Sequence, residues 1–291
     1  MKILIAGANG QVGRELCRRS ADQGHEYIGL GSAELDITNA QAVDAAVNAY
    51  QPDVVINAAA YTAVDKAEDE VDRAFAVNRD GPANLARACH AAGIPLLHIS
   101  TDYVFDGSAT TPYKEEDPVK PLGVYGQSKL EGEQQVQVLC PHSVILRTAW
   151  VFSAHGNNFV KTMIRLARER DELRVVADQH GCPTSATGIA DALLAMAPQL
   201  QADQGKAGIY HFCQPEPTSW HGFAQAIMDS ARPYGGIKVT TVQAIATSDY
   251  PTRAARPAYS VLDTKNVQDT FGLELRNWHA SLEQVIDELL S

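Results

Sequence analysis

The sequence predicts an α/β protein, a doubly wound parallel sheet followed by a smaller, mixed α/β C-terminal domain. Three observations carry that expectation. Short apolar runs alternate with helical patterns through the first 150 residues. A glycine-rich turn joins the first run to the first helical pattern, and the alternation loosens after residue 150. Strands apolar on both faces, separated by helices, belong to a parallel sheet covered on each side.

In chain order, the apolar runs lie at 2–6, 26–30, 53–57, 95–100 and 143–147, all with the composition of buried strands. Between them the spacing predicts helices over 10–22, 40–50, 67–92 and 124–139. The second half holds helical patterns at 156–170, 187–197, 218–232 and 279–290, with short strands near 173–176, 208–213 and 237–243. The polar, proline-containing loop 106–123 separates a strand end from a helix and is placed to cover the mouth of a cleft.

Composition narrows the partners. The chain has 291 residues, 45% of them hydrophobic and 20% charged, as in ordinary globular proteins. A formal charge of −11 argues against nucleic acid or an anionic membrane as partner. Anionic small ligands stay open, since a helix N-terminus binds phosphate on an acidic protein too. The opening MKILIAGANG is broken by glycines too soon for a signal peptide, and no apolar run reaches membrane-spanning length. A cytoplasmic location is expected. The five cysteines are scattered and form no CxxC pair, which reads as buried, reduced thiols. The nine histidines are dispersed, with His98 and His211 inside strand-like runs as core residues, so no histidine metal site is expected.

The turn Gly7-Ala8-Asn9-Gly10-Gln11-Val12-Gly13 follows the first strand and opens a helix. Gly7 allows the tight turn, Gly10 the approach of a pyrophosphate, and Gly13 the packing of helix on sheet. The helix N-terminus offers free N–H groups and the positive end of its dipole to phosphates. Spaced glycines alone are weak evidence; their placement in the first βα unit makes this a Rossmann-like dinucleotide site. The second strand ends Leu30-Gly31-Ser32, without the acid that would hold an adenosine ribose and repel a 2′-phosphate. Both NADPH and NADH therefore remain candidates. Asp36, with Ile37 beside it, lies within reach of the adenosine, and an exposed loop carboxylate explains Asp36 equally well.

Tyr125 and Lys129 stand four apart at the start of a helical pattern, which puts both on one face. A free phenol titrates near ~10, and a neighbouring ammonium lowers that value, making tyrosine a better proton donor. A Tyr-x-x-x-Lys spacing is common by chance on solvated helix faces. The strand at 95–100 strengthens it: Thr101 follows at the carboxyl edge, where open α/β sheets place their sites, and can donate to the same substrate oxygen.

GANGQVG at 7–13, NAAAYTAVDKAE at 57–68, STDYVFDG at 100–107, YGQSK at 125–129 and RTAWVF at 147–152 resemble the extended short-chain dehydrogenases. With GNNFVKTM at 156–163, DQHGCPTS at 178–185 and Arg256-Pro257, the set is similar in particular to the dTDP-4-dehydrorhamnose reductase family. The resemblance implies a catalytic set of Thr101, Tyr125 and Lys129, with threonine where many relatives have serine. It implies that Lys129 also holds the nicotinamide ribose. Ala60, Tyr61 and Thr62 would line the path to the nicotinamide, and Gln11 and Val12 would meet the pyrophosphate. Thr101, Asp102 and Trp150 would touch the sugar-nucleotide, though Trp150 is equally a core aromatic at a strand end. Arg256 becomes a candidate for the sugar-nucleotide's diphosphate, since a guanidinium bonds phosphate oxygens in pairs.

The same resemblance implies a homodimer with Mg2+ at its interface in some relatives. Glu15 and Asp191 fit that pattern, but Thr187 stands where another acid is expected, which argues against the metal. The expected domains are a dinucleotide-binding part over 1–150, to which 185–215 returns, and a mainly substrate-binding part over 151–291. The expected activity is NAD(P)H-dependent reduction of the C4 keto group of dTDP-4-dehydro-L-rhamnose, a step toward cell-surface polysaccharide. A sugar-nucleotide epimerase or dehydratase shares the turn and the Tyr/Lys pair, but a dehydratase needs further carboxylates and no Glu adjoins Thr101-Asp102. A non-catalytic, cofactor-binding regulatory subunit is the alternative outside enzymes; retention of Tyr125 and Lys129 favours catalysis.

Overall fold

The structure, a computed structural model, describes residues 1–291. In chain order the first part runs β1 (Lys2–Ala6), α1 (Gln11–Asp22), β2 (Glu26–Leu30), α2 (Ala40–Tyr50), β3 (Val54–Asn57), α3 (Val64–Ala67) and α4 (Val71–Phe75). A π-helical turn (Ala76–Asp80) leads into α5 (Gly81–Ala92), β4 (Leu96–Thr101), α6 (Val124–Leu139), β5 (Ser143–Thr148) and β6 (Val151–Phe152). Then come α7 (Phe159–Glu169), β7 (Glu172–Val176), β8 (His180–Gly181), β9 (Thr184–Ser185), α8 (Ala186–Ala202) and β10 (Gly208–His211). The chain closes with β11 (Thr218–Ser219), α9 (Trp220–Ala231), β12 (Thr241–Ile245), α10 (Lys265–Phe271) and α11 (Trp278–Leu290).

Six parallel strands form the main sheet in the order β10-β5-β4-β3-β1-β2. This is the doubly wound architecture expected, and the order reverses between β1 and β3, where a crevice opens at the carboxyl ends. One apolar layer packs α1, α8 and α10 against the sheet; another packs α2, α5 and α6 on the opposite face. A third core gathers α7, α9 and α11 against β7 and the β12 region. A small fourth cluster, with Phe105, Tyr113, Cys182, Cys213 and Val261, joins the two parts. No helix is long and apolar enough to cross a membrane.

Two expectations need correction. The strand 26–30 is not buried on both faces: β2 is the sheet edge, and only Leu30 is fully covered. An edge strand has a neighbour on one side alone, so its apolar residues stay partly in water. The helix read across 67–92 begins later and is not regular throughout: α3 ends at Ala67, and a continuous helix runs from Val71 to Ala92 with the π-helical turn between α4 and α5. That turn holds Asn78, whose side chain bonds Tyr61 and Ser128, and it is followed by Gly81 and by Pro82 in the first turn of α5.

Candidate active site

The phosphate-binding turn is shaped as its glycines require. Gly7 has φ +81°, and a Cβ there would stand 2.5 Å from the Ala59 nitrogen. A Cβ on Gly13 would stand 2.1 Å from the Gly7 carbonyl oxygen. Gly10 caps α1 without any side-chain bond, and no acid lies in the first turn, so the amide groups there stay open to an anion. Gln11 and Val12 begin that helix. The Gln11 side chain accepts from Ser153 Oγ (3.0 Å) and Asn158 Nδ2 (2.9 Å), tying the turn to the second part of the chain. Val12 is buried in the core, so its contribution to a phosphate is its N–H. These residues fit a dinucleotide.

Beyond β2, Asp36 is exposed and accepts from Thr38 N (3.0 Å) and Oγ1 (2.8 Å), closing a local turn. Ile37 is buried, its side chain packed where a Cβ on Gly81 would lie. The space beside residue 31 is taken by two movable side chains, those of Asn9 and Glu34. A Cβ on Gly31 would stand 2.0 Å from Asn9 Nδ2 and 2.8 Å from Glu34 Oε2. The end of β2 therefore does carry a carboxylate, from Glu34. Sequence reading passed over it because it lies beyond the strand end, and only the 31–34 turn folds it back.

Ala60, Tyr61 and Thr62 follow β3 along the crevice. The Tyr61 N–H donates to Asn78 Oδ1 (2.8 Å), and Asn78 Nδ2 donates to the Tyr61 carbonyl (3.0 Å) and to Ser128 Oγ (3.0 Å). Asn78 thus clamps the loop after β3 to α6 at a residue between Tyr125 and Lys129. At the head of α6, the Val124 N–H donates to Glu68 Oε1 (2.9 Å), a cap delivered from just beyond α3.

Thr101, Tyr125 and Lys129 come together where β4 meets α6. The Thr101 hydroxyl lies close enough to Tyr125 to pull its pKa down, donates to Asp102 Oδ1 (3.1 Å) and accepts from Tyr103 N (3.2 Å). Tyr125 stands edge-on to Tyr103, ring centroids 5.5 Å apart. Lys129 is buried, and its Nζ donates to the Ile99 carbonyl at 2.6 Å. The electrostatics differ from the expectation that Lys129 lowers the phenol's pKa. Burial around the hydroxyl pushes Tyr125 up to about 12, against the pull of Thr101. Burial also brings Lys129 down to about 8, opposed by Glu133. Desolvation outweighs the pairing because the ammonium is turned to Ile99 rather than to the phenol.

The remaining candidates flank this set. Asp102 is buried, its Oδ2 has no partner, and burial raises it to about 6 against the pull of the nearby Ser260 and Thr101 hydroxyls. Trp150 has a left-handed backbone (φ +46°) and stacks on Trp220 with centroids 3.5 Å apart and planes 6° from parallel. A Cβ on Gly181 would meet the Trp150 ring at 2.5 Å, so glycine makes room for the indole. Arg256 donates from Nη2 to Asp65 Oδ2 (2.8 Å), and its buried Nε has no partner. Asp65 also accepts from Ala254 N (3.1 Å).

Glu15 and Asp191 do not fit a hard cation. Asp191 accepts from Arg19 Nε (2.6 Å) and Nη2 (2.9 Å), and Glu15 Oε2 accepts from Arg18 Nη2 (2.6 Å). Glu15 Oε1 lies 3.5 Å from His155 Nε2, and Thr187 brings no carboxylate. Their oxygens face arginines and a histidine of the chain itself, and a divalent ion needs several free ones.

The chain as a whole is similar to known proteins. Residues 1–291 match the family described as the RmlD substrate binding domain. The chain is 47% identical over 287 residues to a dTDP-4-dehydrorhamnose reductase of Aggregatibacter actinomycetemcomitans, covering 98% of each. It superposes on the Clostridium acetobutylicum dTDP-4-dehydrorhamnose reductase with a TM-score of 0.93 at 43% identity, covering 100% of both chains. The Bacillus anthracis reductase, solved in complex with NADP, gives a TM-score of 0.90 at 37% identity over 99% of each chain. By fold and sequence, the chain belongs to the RmlD family, that of the dTDP-4-dehydrorhamnose reductases.

Proposed function

We propose that this protein reduces the C4 keto group of dTDP-4-dehydro-L-rhamnose to give dTDP-L-rhamnose, using NADPH or NADH, in the cytoplasm and toward cell-surface polysaccharide. One observation carries the reading: Thr101 and Tyr125 lie close together at the carboxyl edge of β4, the same sheet edge onto which the uncapped N-terminus of α1 opens. When bound, the dihydronicotinamide supplies a hydride to C4. The amide groups of Gly10 to Gly13 hold its pyrophosphate, with Gly7 keeping the backbone close. Ala60, Tyr61 and Thr62 line its path, and Lys129 turns from Ile99 to the ribose hydroxyls. Glu34, folded back to the end of β2, would meet the adenosine ribose, with Asp36 and Ile37 beyond it.

Tyr125, protonated throughout the neutral range, donates its proton to the substrate's O4 as charge develops there. The Thr101 hydroxyl donates to the same oxygen and holds it in line. Asp102 offers its unpartnered Oδ2 to a sugar hydroxyl. Trp150 covers the sugar, and Arg256 exchanges Asp65 for the diphosphate. Residues 1–150, joined by 185–215 through α8 and β10, hold the cofactor, while 151–291 mainly hold the sugar-nucleotide. Any homodimer forms through protein contacts, without Mg2+.

Absorbance of NADPH, recorded beside chromatography of the sugar-nucleotide, tests the reading. One equivalent of NADPH is oxidised per sugar converted, and Tyr125→Phe lowers turnover by about a hundredfold or more while keeping NADPH affinity. Full conversion with no loss of NADPH absorbance would mean an epimerase instead.

A further inference from the structure

The last residues of β4 meet three turns of α6 in a pattern that the reaction does not by itself explain. The Thr101 hydroxyl lies close to Tyr125, the Ile99 carbonyl accepts from Lys129 Nζ (2.6 Å), and Ser100 Oγ donates to Glu133 Oε1 (2.5 Å). Tyr125, Lys129 and Glu133 are each four residues apart, so they lie along one face of the helix. Lys129 is 2% exposed and Glu133 1%, so the lysine and the acid one turn beyond it share a dry interior. The Glu133 carboxylate also accepts from Arg147 Nε (3.0 Å) and Nη2 (2.7 Å). The guanidinium cannot turn toward the lysine. Its Nη1 reaches His211 Nε2 (3.4 Å) and the Glu115 carbonyl (3.5 Å), and it lies over the Phe105 ring.

We propose that Glu133, fixed by Arg147 and Ser100, is the positioning residue that keeps Lys129 charged and seated beneath Tyr125. This rests on reading Tyr125 and Lys129 as the catalytic pair. A buried ammonium is unstable as a charge, and Lys129 has one hydrogen-bond acceptor, the neutral Ile99 carbonyl. A carboxylate on the same helix face supplies the missing negative potential across a poorly screened interior. Other groups around Lys129 do not supply it. His98, from β4, is neutral, its pKa lowered well below the usual histidine value by burial. Tyr125 stays protonated, Arg147 from β5 is positive, and Asn78 from the π-helical turn is uncharged. Asp102 faces Thr101 and Ser260. Glu68 and Glu131, the other acids at α6, cap its head and pair with Arg79.

The test is the alkaline limb of turnover and, separately, of NADPH affinity measured by fluorescence without sugar. Glu133→Gln removes the negative charge and leaves Arg147 uncompensated, so both limbs move to lower pH by about one unit or more. Glu133→Asp keeps the charge and returns both limbs toward wild type. Glu133→Gln with Arg147→Met leaves no charge unpaired and keeps the measurement available where the single variant fails to fold. Its limbs also lie below those of wild type. A merely structural role lowers thermal stability and leaves the limbs in place; folded variants with wild-type limbs overturn the proposal. The reaction assigned above fails separately, as a wild-type protein that oxidises no NADPH with the sugar-nucleotide.

Discussion

Lys129 and Glu34 show how single side chains depart from what their spacing suggests. The pairing of Tyr125 with Lys129 was legible from their separation, but the sign of the effect was not, because burial decides it. Lys129 titrates near 8 in the folded chain, below an unfolded lysine, so its buried ammonium costs stability below that pH and the cost disappears above the unfolded value. Folding stability should therefore rise as pH increases from 7 toward 10. Lys129→Met should flatten that rise and stabilise the protein at neutral pH by on the order of a few kcal/mol, while weakening NADPH binding. Denaturant titrations across that range check the first part and fluorescence titration the second. At β2, an acid engineered at residue 31 would have to displace the Asn9 and Glu34 side chains, so cofactor preference is better tested at Glu34. Glu34→Gln should raise the ratio of kcat/KM for NADPH over NADH several-fold, since a carboxylate repels a 2′-phosphate. An unchanged ratio would return the selection to Asp36.

Elements were legible where one period ran unbroken. The span 124–139 matches α6 to the residue, and 40–50 matches α2, because each keeps a buried face and has no interior proline. The region 67–92 was read as one helix because its periodicity continues through Ala74, Asn78 and Leu85, all of which are buried. The π-helical turn inside it goes with long-range bonds: Asn78 bonds Tyr61 and Ser128, partners that no local window contains. Asn78→Ala should remove these bonds and leave buried groups unpaired. We expect a loss of about 2–3 kcal/mol by chemical denaturation and a fall in turnover as α6 loosens from the cofactor loop. Ordinary stability in that variant would make the π-helical turn incidental.

At the scale of the whole molecule, the two parts are joined by aromatic packing and ion pairs rather than by a long interface strand. Trp150 at the end of β5 stacks on Trp220 of α9, and Arg256 and Arg253 pair with Asp65 and Asp69 around α3. Arg19 bonds Asp191 across α1 and α8, where a metal-dependent relative would need free carboxylates. Prolonged treatment with a chelator should therefore leave activity and oligomeric state unchanged; a lasting loss of either would show that these arginines yield to a cation.

The sequence by itself determined the doubly wound sheet, the glycine turn and the grouping of Thr101, Tyr125 and Lys129, because each depends on local spacing and on strand ends that share one sheet edge. The negative charge at the end of β2, the clamp by Asn78, the Glu133–Arg147 pair beneath the lysine and the engagement of Asp191 by Arg19 were decided only in the tertiary structure. Glu133 could have been noticed as the next residue on the Tyr125–Lys129 face, but its role depends on Arg147 from a different strand. Charge in a protein interior is set by what else is buried nearby, and residues distant in the chain become neighbours only when the sheet and helices pack.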